Sequence, residues 1–333
     1  MGKTSIIALS GPSSSGKTTL ARLLQQIFSN QPTAQEEAQT AQQPQSQDRK
    51  QISTFIIHED DFYQPDDKIP STTLPTGKTI QDWDCLGALD IPFLSSALTY
   101  VHEKGHLPPR LRSKEDLNDV SPGIGVDESL VEGLRGVVEA RIRRLYSGGK
   151  GEGVTLALLE GFLLYAPPTE TESSHGLRNV HDQIDVRIFL PAPYDLVKER
   201  REKRSGYVTI GPAPELPQRS SVSGGDGEVD LEAEDDRPPQ NFWTDPPGYV
   251  DDIVWPRYVR DHAWLLLPEE DQGESLVSVK DDAELVKRVG QGVKVRTDAG
   301  VTVAPGQGSL PMADLLKWAV EEVLKYLEQQ YSK

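Results

Sequence analysis

The sequence predicts an α/β protein built on a five-stranded parallel sheet, and three observations carry that prediction. Short, almost continuously apolar runs recur along the chain, helical periodicities lie between several of them, and a Gly-rich turn joins the first run to the first helical pattern. Strands of that kind are apolar on both faces, as a sheet covered by helices on two sides requires. The five predicted strands are residues 4–9 (TSIIAL), 53–58 (STFIIH), 154–160 (VTLALLE), 185–190 (DVRIFL) and 263–268 (AWLLLP). Besides TTLARLLQQIF after the first turn, helices are predicted over 86–105, 127–146, 193–204 and 312–331, each with an apolar stripe. Asp127 is placed to cap the helix that begins there, and Gly148-Gly149 to stop it.

Residues 1–333 read as one domain interrupted by three insertions: a Gln-rich stretch at 30–50, a Pro, Gly and acid-rich stretch at 210–240, and a partly irregular stretch at 269–310. The first two have too little apolar surface to offset the entropy of ordering and are expected to be disordered. Thirty-five Lys and Arg against 52 Asp and Glu give a formal net charge of −17, which repels a phosphate polyanion, so no nucleic-acid partner is expected. A single cysteine, Cys85, excludes an internal disulfide and a multi-thiolate metal site. No run is apolar for long enough to span a bilayer and the N-terminus has no signal-peptide pattern, so the expected partners exclude membranes and the expected location is the cytoplasm, with the nucleus as a second compartment.

Gly11-Pro12-Ser13-Ser14-Ser15-Gly16-Lys17-Thr18 satisfies G-x-x-x-x-G-K-[ST] between a predicted strand and a predicted helix, the context that gives this pattern its mechanism. Gly11 and Gly16 let backbone N–H groups turn inward around phosphates, Ser13, Ser14, Ser15 and Thr19 extend the cradle, and the helix N-terminus adds partial positive charge. Lys17 reaches the β- and γ-phosphates of a nucleotide such as ATP, and the Thr18 hydroxyl is placed to ligate Mg2+. No N-K-x-D guanine-reading motif follows, which disfavours a GTPase and leaves a small-molecule kinase as the leading class.

Carboxylates follow two strands at the end where open α/β sheets bind ligands. His58-Glu59-Asp60-Asp61 follows the second strand, and either Asp60 or Asp61 could accept the proton of an attacking hydroxyl. Glu160 ends another strand and suits a position near magnesium. Lys198, Arg200, Arg201, Lys203 and Arg204 form a basic cluster in this acidic chain, which reads as a lid that neutralises a transferred phosphoryl group. His102, His106, His175, His181 and His262 form no pattern that assigns them a role.

The segments IIALSGPSSSGKTTLARLL, IIHEDDFYQP, QDWDCLGALD, LLEGFLLY, DLVKERREKR and PPGYVDDIVWPRYVRDH together resemble the nicotinamide riboside kinases, within the uridine kinase-like group of phosphate-loop kinases. They cover roughly a third of the chain in the family's order; the insertions between them do not match. The resemblance implies a P-loop NTPase of NMP-kinase-like three-layer α/β/α architecture with a lid, using ATP and Mg2+ on a small-molecule nucleoside. It implies transfer to the ribose 5′-hydroxyl of nicotinamide riboside to give nicotinamide mononucleotide, a step of NAD salvage, with nicotinic acid riboside as a further substrate. Asp60 is then the catalytic base, Asp84 holds the ribose 2′ and 3′ hydroxyls, Trp83 is the aromatic beside it, and Glu160 serves magnesium with Thr18. Arg200 and Arg204 match the family's lid arginines. Tyr207, the aromatic that stacks on the base, is displaced by one residue from the family's spacing, and about thirty residues separate it from the resumption of the pattern at Pro246. Two alternatives remain at this stage: a uridine or cytidine kinase, and a nucleotide-binding regulatory protein without kinase activity whose insertions bind partners.

Overall fold

The computed structural model describes residues 3–29, 52–74, 76–111, 113, 125–146, 153–212, 241–268 and 282–331. Strands β1 (Lys3–Ser10), β2 (Ile52–His58), β5 (Val154–Gly161), β6 (Val186–Phe189) and β9 (Thr302–Val303) form one parallel sheet in the order β2-β5-β1-β6-β9. The expected five-stranded parallel sheet is therefore present. Two short antiparallel hairpins accompany it: β3 (Ser71–Thr73) with β4 (Thr79–Gln81), and β7 (Tyr207–Thr209) with β8 (Asn241–Trp243).

Alternation along β1 explains the three layers. Ile6 and Ala8 enter one core while Ile7 and Leu9 enter the other, all of them fully buried, so both faces of the strand need a helical cover. On the second face lie α1 (Lys17–Phe28), α3 (Glu128–Tyr146) and α9 (Met312–Tyr331). On the first lie α2 (Ile91–Lys104), the short α4 (Arg178–His181), α6 (Trp255–Asp261), α7 (Ala263–Leu266) and α8 (Asp282–Val289). Helix α5 (Tyr194–Glu202) carries the basic cluster at the strands' carboxyl ends.

The fifth strand differs from the sequence expectation. Residues 263–268 are not a strand: Ala263–Leu266 form a short helix, closed by Leu265 N–H to His262 O (2.8 Å) and Leu267 N–H to Ala263 O (3.0 Å). An unbroken apolar run has no periodicity to separate a buried strand from a buried helical turn. The strand at that edge is Thr302–Val303, paired with Ile188 and Phe189 and too short to give a hydrophobic signal. The 86–105 helix begins later than expected, at Ile91, because Leu86–Ala88 is a separate 3-10 turn and the Asp90 carboxylate caps the helix by accepting from Phe93 N–H. Gly105, at φ 76°, ends it.

The Gln-rich 30–50 stretch, Gly148-Gly149, residues 213–240 of the second insertion and 269–281 of the third lie outside the described residues. The described part of 269–310 contributes α8, β9 and a wall of the site.

Candidate active site

Strand β1 ends at the centre of the sheet, with β2 and β5 to one side and β6 to the other, so the turn after it opens into the crevice where connections diverge. Residues 11–18 fill that turn. A Cβ on Gly11, at φ 151°, would overlap the Leu190 carbonyl oxygen, so only glycine lets the loop lie against the end of β6. Gly16, at φ 97°, is the N-cap of α1 and has no side-chain cap, which leaves first-turn N–H groups turned into the loop. The Lys17 ammonium folds back to donate to the carbonyls of Gly11 (3.1 Å) and Pro12 (2.9 Å). Burial lowers its pKa, opposed by the nearby carboxylates of Glu160, Asp60 and Glu59. The hydroxyls of Ser14 and Ser15 are buried without a hydrogen-bond partner among the described residues. Orphaned donors beside a buried cation are what an incoming phosphate group would satisfy.

Four carboxylates gather beside this cradle at the carboxyl ends of β2 and β5. Parallel register sets His58 beside Glu160, and His58 Nδ1 lies 2.7 Å from Glu160 Oε1. Burial pushes the Glu160 carboxyl up, but hydrogen bonds from His58 and Thr18 and the charge of Lys17 outweigh it and hold the pKa below its ordinary value. Asp60 and Asp61 stand on the 3-10 turn that follows β2. Glu59, fully buried between them and β5, accepts from Phe162 N–H (2.6 Å) and Leu163 N–H (3.1 Å). Burial pushes its pKa up to about 8. Gly161 is required beside it, since a Cβ there would overlap the Glu59 side chain.

Helix α5 and the β7–β8 hairpin, the segment read from sequence as a lid, supply the opposite wall. Arg200 donates from Nη1 to the Ser14 carbonyl (3.1 Å), tying α5 to the phosphate loop. Its neighbour Arg201 turns inward and forms a two-pronged pair with Asp84 (2.7 and 2.9 Å) while donating from Nε to Asp245 (2.7 Å). Both members of the Arg201–Asp84 pair have side chains 7% exposed. Burial works against both charges; it raises the Asp84 carboxyl, whereas Asp84, Tyr207 and Asp245 together hold Arg201 well above its ordinary value. The Tyr207 ring is covered by the guanidiniums of Arg201 and Arg204, 5.2 and 5.0 Å from its centroid. Trp243, from β8, packs instead against Trp83 at 5.5 Å.

One cavity of about 710 Å3 joins these parts. Of the residues the sequence singled out, Ser13, Ser14, Ser15, Gly16, Lys17, Thr18, Thr19, Asp60, Trp83, Asp84, Glu160, Arg200, Arg204 and Tyr207 line it, and Gly11 supports it from behind. Arg201 enters the sequence reading only as one of the cations of the basic lid cluster, whereas its side chain turns inward to Asp84 and Asp245, a facing legible in its spacing because Val197 and Arg201 fall four apart on the buried face of α5. Sequence reasoning gave no site role to several others. Trp243 and Asp245 lie beyond the long insertion, where the family pattern offers no register. Residues 304–312 close the cavity beside α1, with Met312 against Gly16, and carry no motif.

This fold and loop, with a carboxylate and a cationic lid around one cavity, define a P-loop kinase architecture. No family model matches the sequence. Curated relatives extend the motif-based resemblance to almost the whole chain: a nicotinamide riboside kinase of Schizosaccharomyces pombe is 26% identical over 98% of this chain and 99% of its own, and one of Saccharomyces cerevisiae is 24% identical over 97% of each. Nicotinamide riboside kinase 2 of Mus musculus is 25% identical over 76% of this chain and 77% of its own. Across that length the chain is similar to proteins named as kinases, and its parallel sheet and phosphate loop are consistent with a phosphate-loop kinase fold. No described helix is long and apolar enough to cross a membrane.

Proposed function

We propose that the chain transfers the γ-phosphoryl group of ATP to the ribose 5′-hydroxyl of nicotinamide riboside, giving nicotinamide mononucleotide. The observation that carries this reading is the single cavity in which a phosphate cradle, a carboxylate at Asp60 and an aromatic wall at Trp83 share one space. Lys17, the loop N–H groups and the Ser14 and Ser15 hydroxyls hold the transferred and leaving phosphates. Asp60 takes the hydroxyl proton, and Arg200 and Arg204 neutralise charge developing on the phosphoryl group. Asp84 and Arg201 present an acceptor and donors toward the ribose hydroxyls, and Trp83 offers its face to the pyridinium, which a π-system attracts more than a neutral pyrimidine.

Among the described residues no group of three or more His, Cys, Asp or Glu side chains could by itself hold a metal, so Mg2+ would share its ligands with the nucleotide phosphates. The Thr18 hydroxyl and Glu160, kept ionised by its partners, fit such a shared site, where the ion would supply charge neutralisation on the phosphates. Nicotinic acid riboside is included as a second acceptor.

The test is coupled ADP release with ATP and Mg2+, comparing nicotinamide riboside, nicotinic acid riboside, uridine and cytidine, with Asp60→Asn as control. Asp60-dependent preference for the pyridine ribosides is the expected result. Preference for a pyrimidine nucleoside would move the substrate, and ATP binding without turnover on any nucleoside would replace the enzyme by a regulatory protein.

A further inference from the structure

We propose that Asp66, which does not line the cavity, is a positioning residue for the nucleoside half of the site: it pins the β7–β8 hairpin so that Trp243 faces Trp83. The proposal deepens the kinase reading above and rests on it.

The hairpin needs an external anchor. Its strands are three residues each, paired Tyr207 with Trp243, Val208 with Phe242 and Thr209 with Asn241, and two strands of that length are marginal by themselves. Phe242 on its outer side is 55% exposed, so packing there contributes little. Asp66 supplies the anchor with one residue. Its Oδ2 accepts from Thr209 Oγ1 (2.8 Å) and Asn241 Nδ2 (3.3 Å), which lie on opposite strands. Its Oδ1 accepts from Gly211 N–H (3.0 Å), and its own N–H donates to Gly211 O (2.9 Å). Its carbonyl accepts from Gln81 Nε2 (2.6 Å), which fixes the anchor to the β3–β4 hairpin.

The consequence reaches the site along two short paths. Asp66 lies six residues after Asp60 on the same segment, which is held to the α2 entry by Gln64 N–H to Ala88 O (2.8 Å), so the hairpin is registered to the catalytic carboxylate. On the hairpin itself, Trp243 donates from Nε1 to Asp245 (2.9 Å), the carboxylate that also holds Arg201. With two guanidiniums against the Tyr207 ring, Trp243 is the hairpin aromatic in contact with Trp83, and that contact fixes where the Trp83 ring stands in the wall of the nucleoside end. Aspartate is the residue this junction needs, because three donors converge on its two oxygens; an asparagine would turn an N–H group toward another donor.

Steady-state kinetics of Asp66→Ala and Asp66→Asn test this. Both are expected to raise the nucleoside KM about tenfold or more while kcat and the ATP KM stay within a few-fold, the pattern of lost substrate binding alone. Thr209→Val is expected to give part of that rise and to add nothing in the Asp66→Ala background. Amide hydrogen exchange on the free protein gives an independent readout: protection at Thr209–Gly211 and Asn241–Trp243 falls at least about tenfold in Asp66→Ala, while β1 and β5 are unchanged. If wild type turns over no nucleoside, the kinase reading fails, and the role in setting the nucleoside end fails with it whatever the exchange shows. Wild-type nucleoside KM in the variants, unchanged exchange, or equal losses in ATP and nucleoside parameters would each overturn the proposal.

Discussion

Each buried charge at the site has an identifiable partner, and the variants that separate them have distinct signatures. Lys17→Ala is expected to lower kcat by about 10²–10³, the scale for losing one preorganised donor to developing charge, and Asp60→Asn by about 10²–10⁴. ADP release at saturating substrates reads both. Asp84→Ala differs from what its sequence motif implies, a loss of nucleoside affinity alone. Removing it leaves Arg201 buried with Asp245 as its remaining carboxylate, a break that costs roughly 3–5 kcal/mol. Calorimetry should therefore show a lower Tm together with the higher nucleoside KM. His262, buried and bonded through Nδ1 to Tyr258 O, has its pKa pushed down to about 4 by burial. The unfolded chain takes up that proton first, so its contribution to stability is complete above about pH 6.5 and shrinks as pH falls toward 4, by about 1.4 kcal/mol per unit. Glu59, pushed up to about 8, tilts the same window the opposite way, so the readout is the difference: the urea midpoint of wild type relative to His262→Gln should be higher at pH 7 than at pH 5.

At the scale of elements, helices α3 and α9 share one apolar core, and Arg141 ties them together at its partly exposed edge. Arg141 donates to both oxygens of Glu328 (2.7 Å each) and pairs with Glu321. The cluster is partly exposed, so Arg141→Ala is expected to cost about 1 kcal/mol, read as a small fall in Tm with unchanged kcat and KM. The contrast with Arg201 is instructive: both are helix arginines bridging two acids, but only Arg201 is removed from water. Helices with a marked apolar stripe were legible in the sequence to within a few residues, as 127–146 and 312–331 show against Glu128–Tyr146 and Met312–Tyr331. The 263–268 run was not, because continuous apolarity specifies burial and leaves the backbone conformation open. The edge strand Thr302–Val303 was invisible for the opposite reason, being too short to carry a pattern.

For the whole molecule, a net charge of −17 sets up a field that draws cations toward the surface and opposes anions. Nicotinamide riboside is a pyridinium cation, whereas uridine is neutral. Raising ionic strength from about 0.05 to 0.5 M shortens the screening length to a few ångströms and is expected to raise the KM for nicotinamide riboside while leaving that for uridine nearly unchanged. Equal salt responses for the two nucleosides would remove long-range attraction from the account of specificity.

By itself the sequence determined the parts whose physics is local: a phosphate cradle from Gly11 to Thr18, whose glycines and helix start are contiguous; carboxylates at strand ends; and a basic lid segment. It also determined that the sheet is apolar on both faces, through the unbroken runs at β1 and β5. Only the tertiary structure decided which residues meet across distance. Arg201 is 117 positions from Asp84 and Asp66 is 143 from Thr209, and no local pattern encodes either pair. Such contacts form because parallel strands deliver their carboxyl ends to one edge of the sheet, where the folded lid takes Arg201 and Asp84 out of water and leaves each the other's strongest available partner.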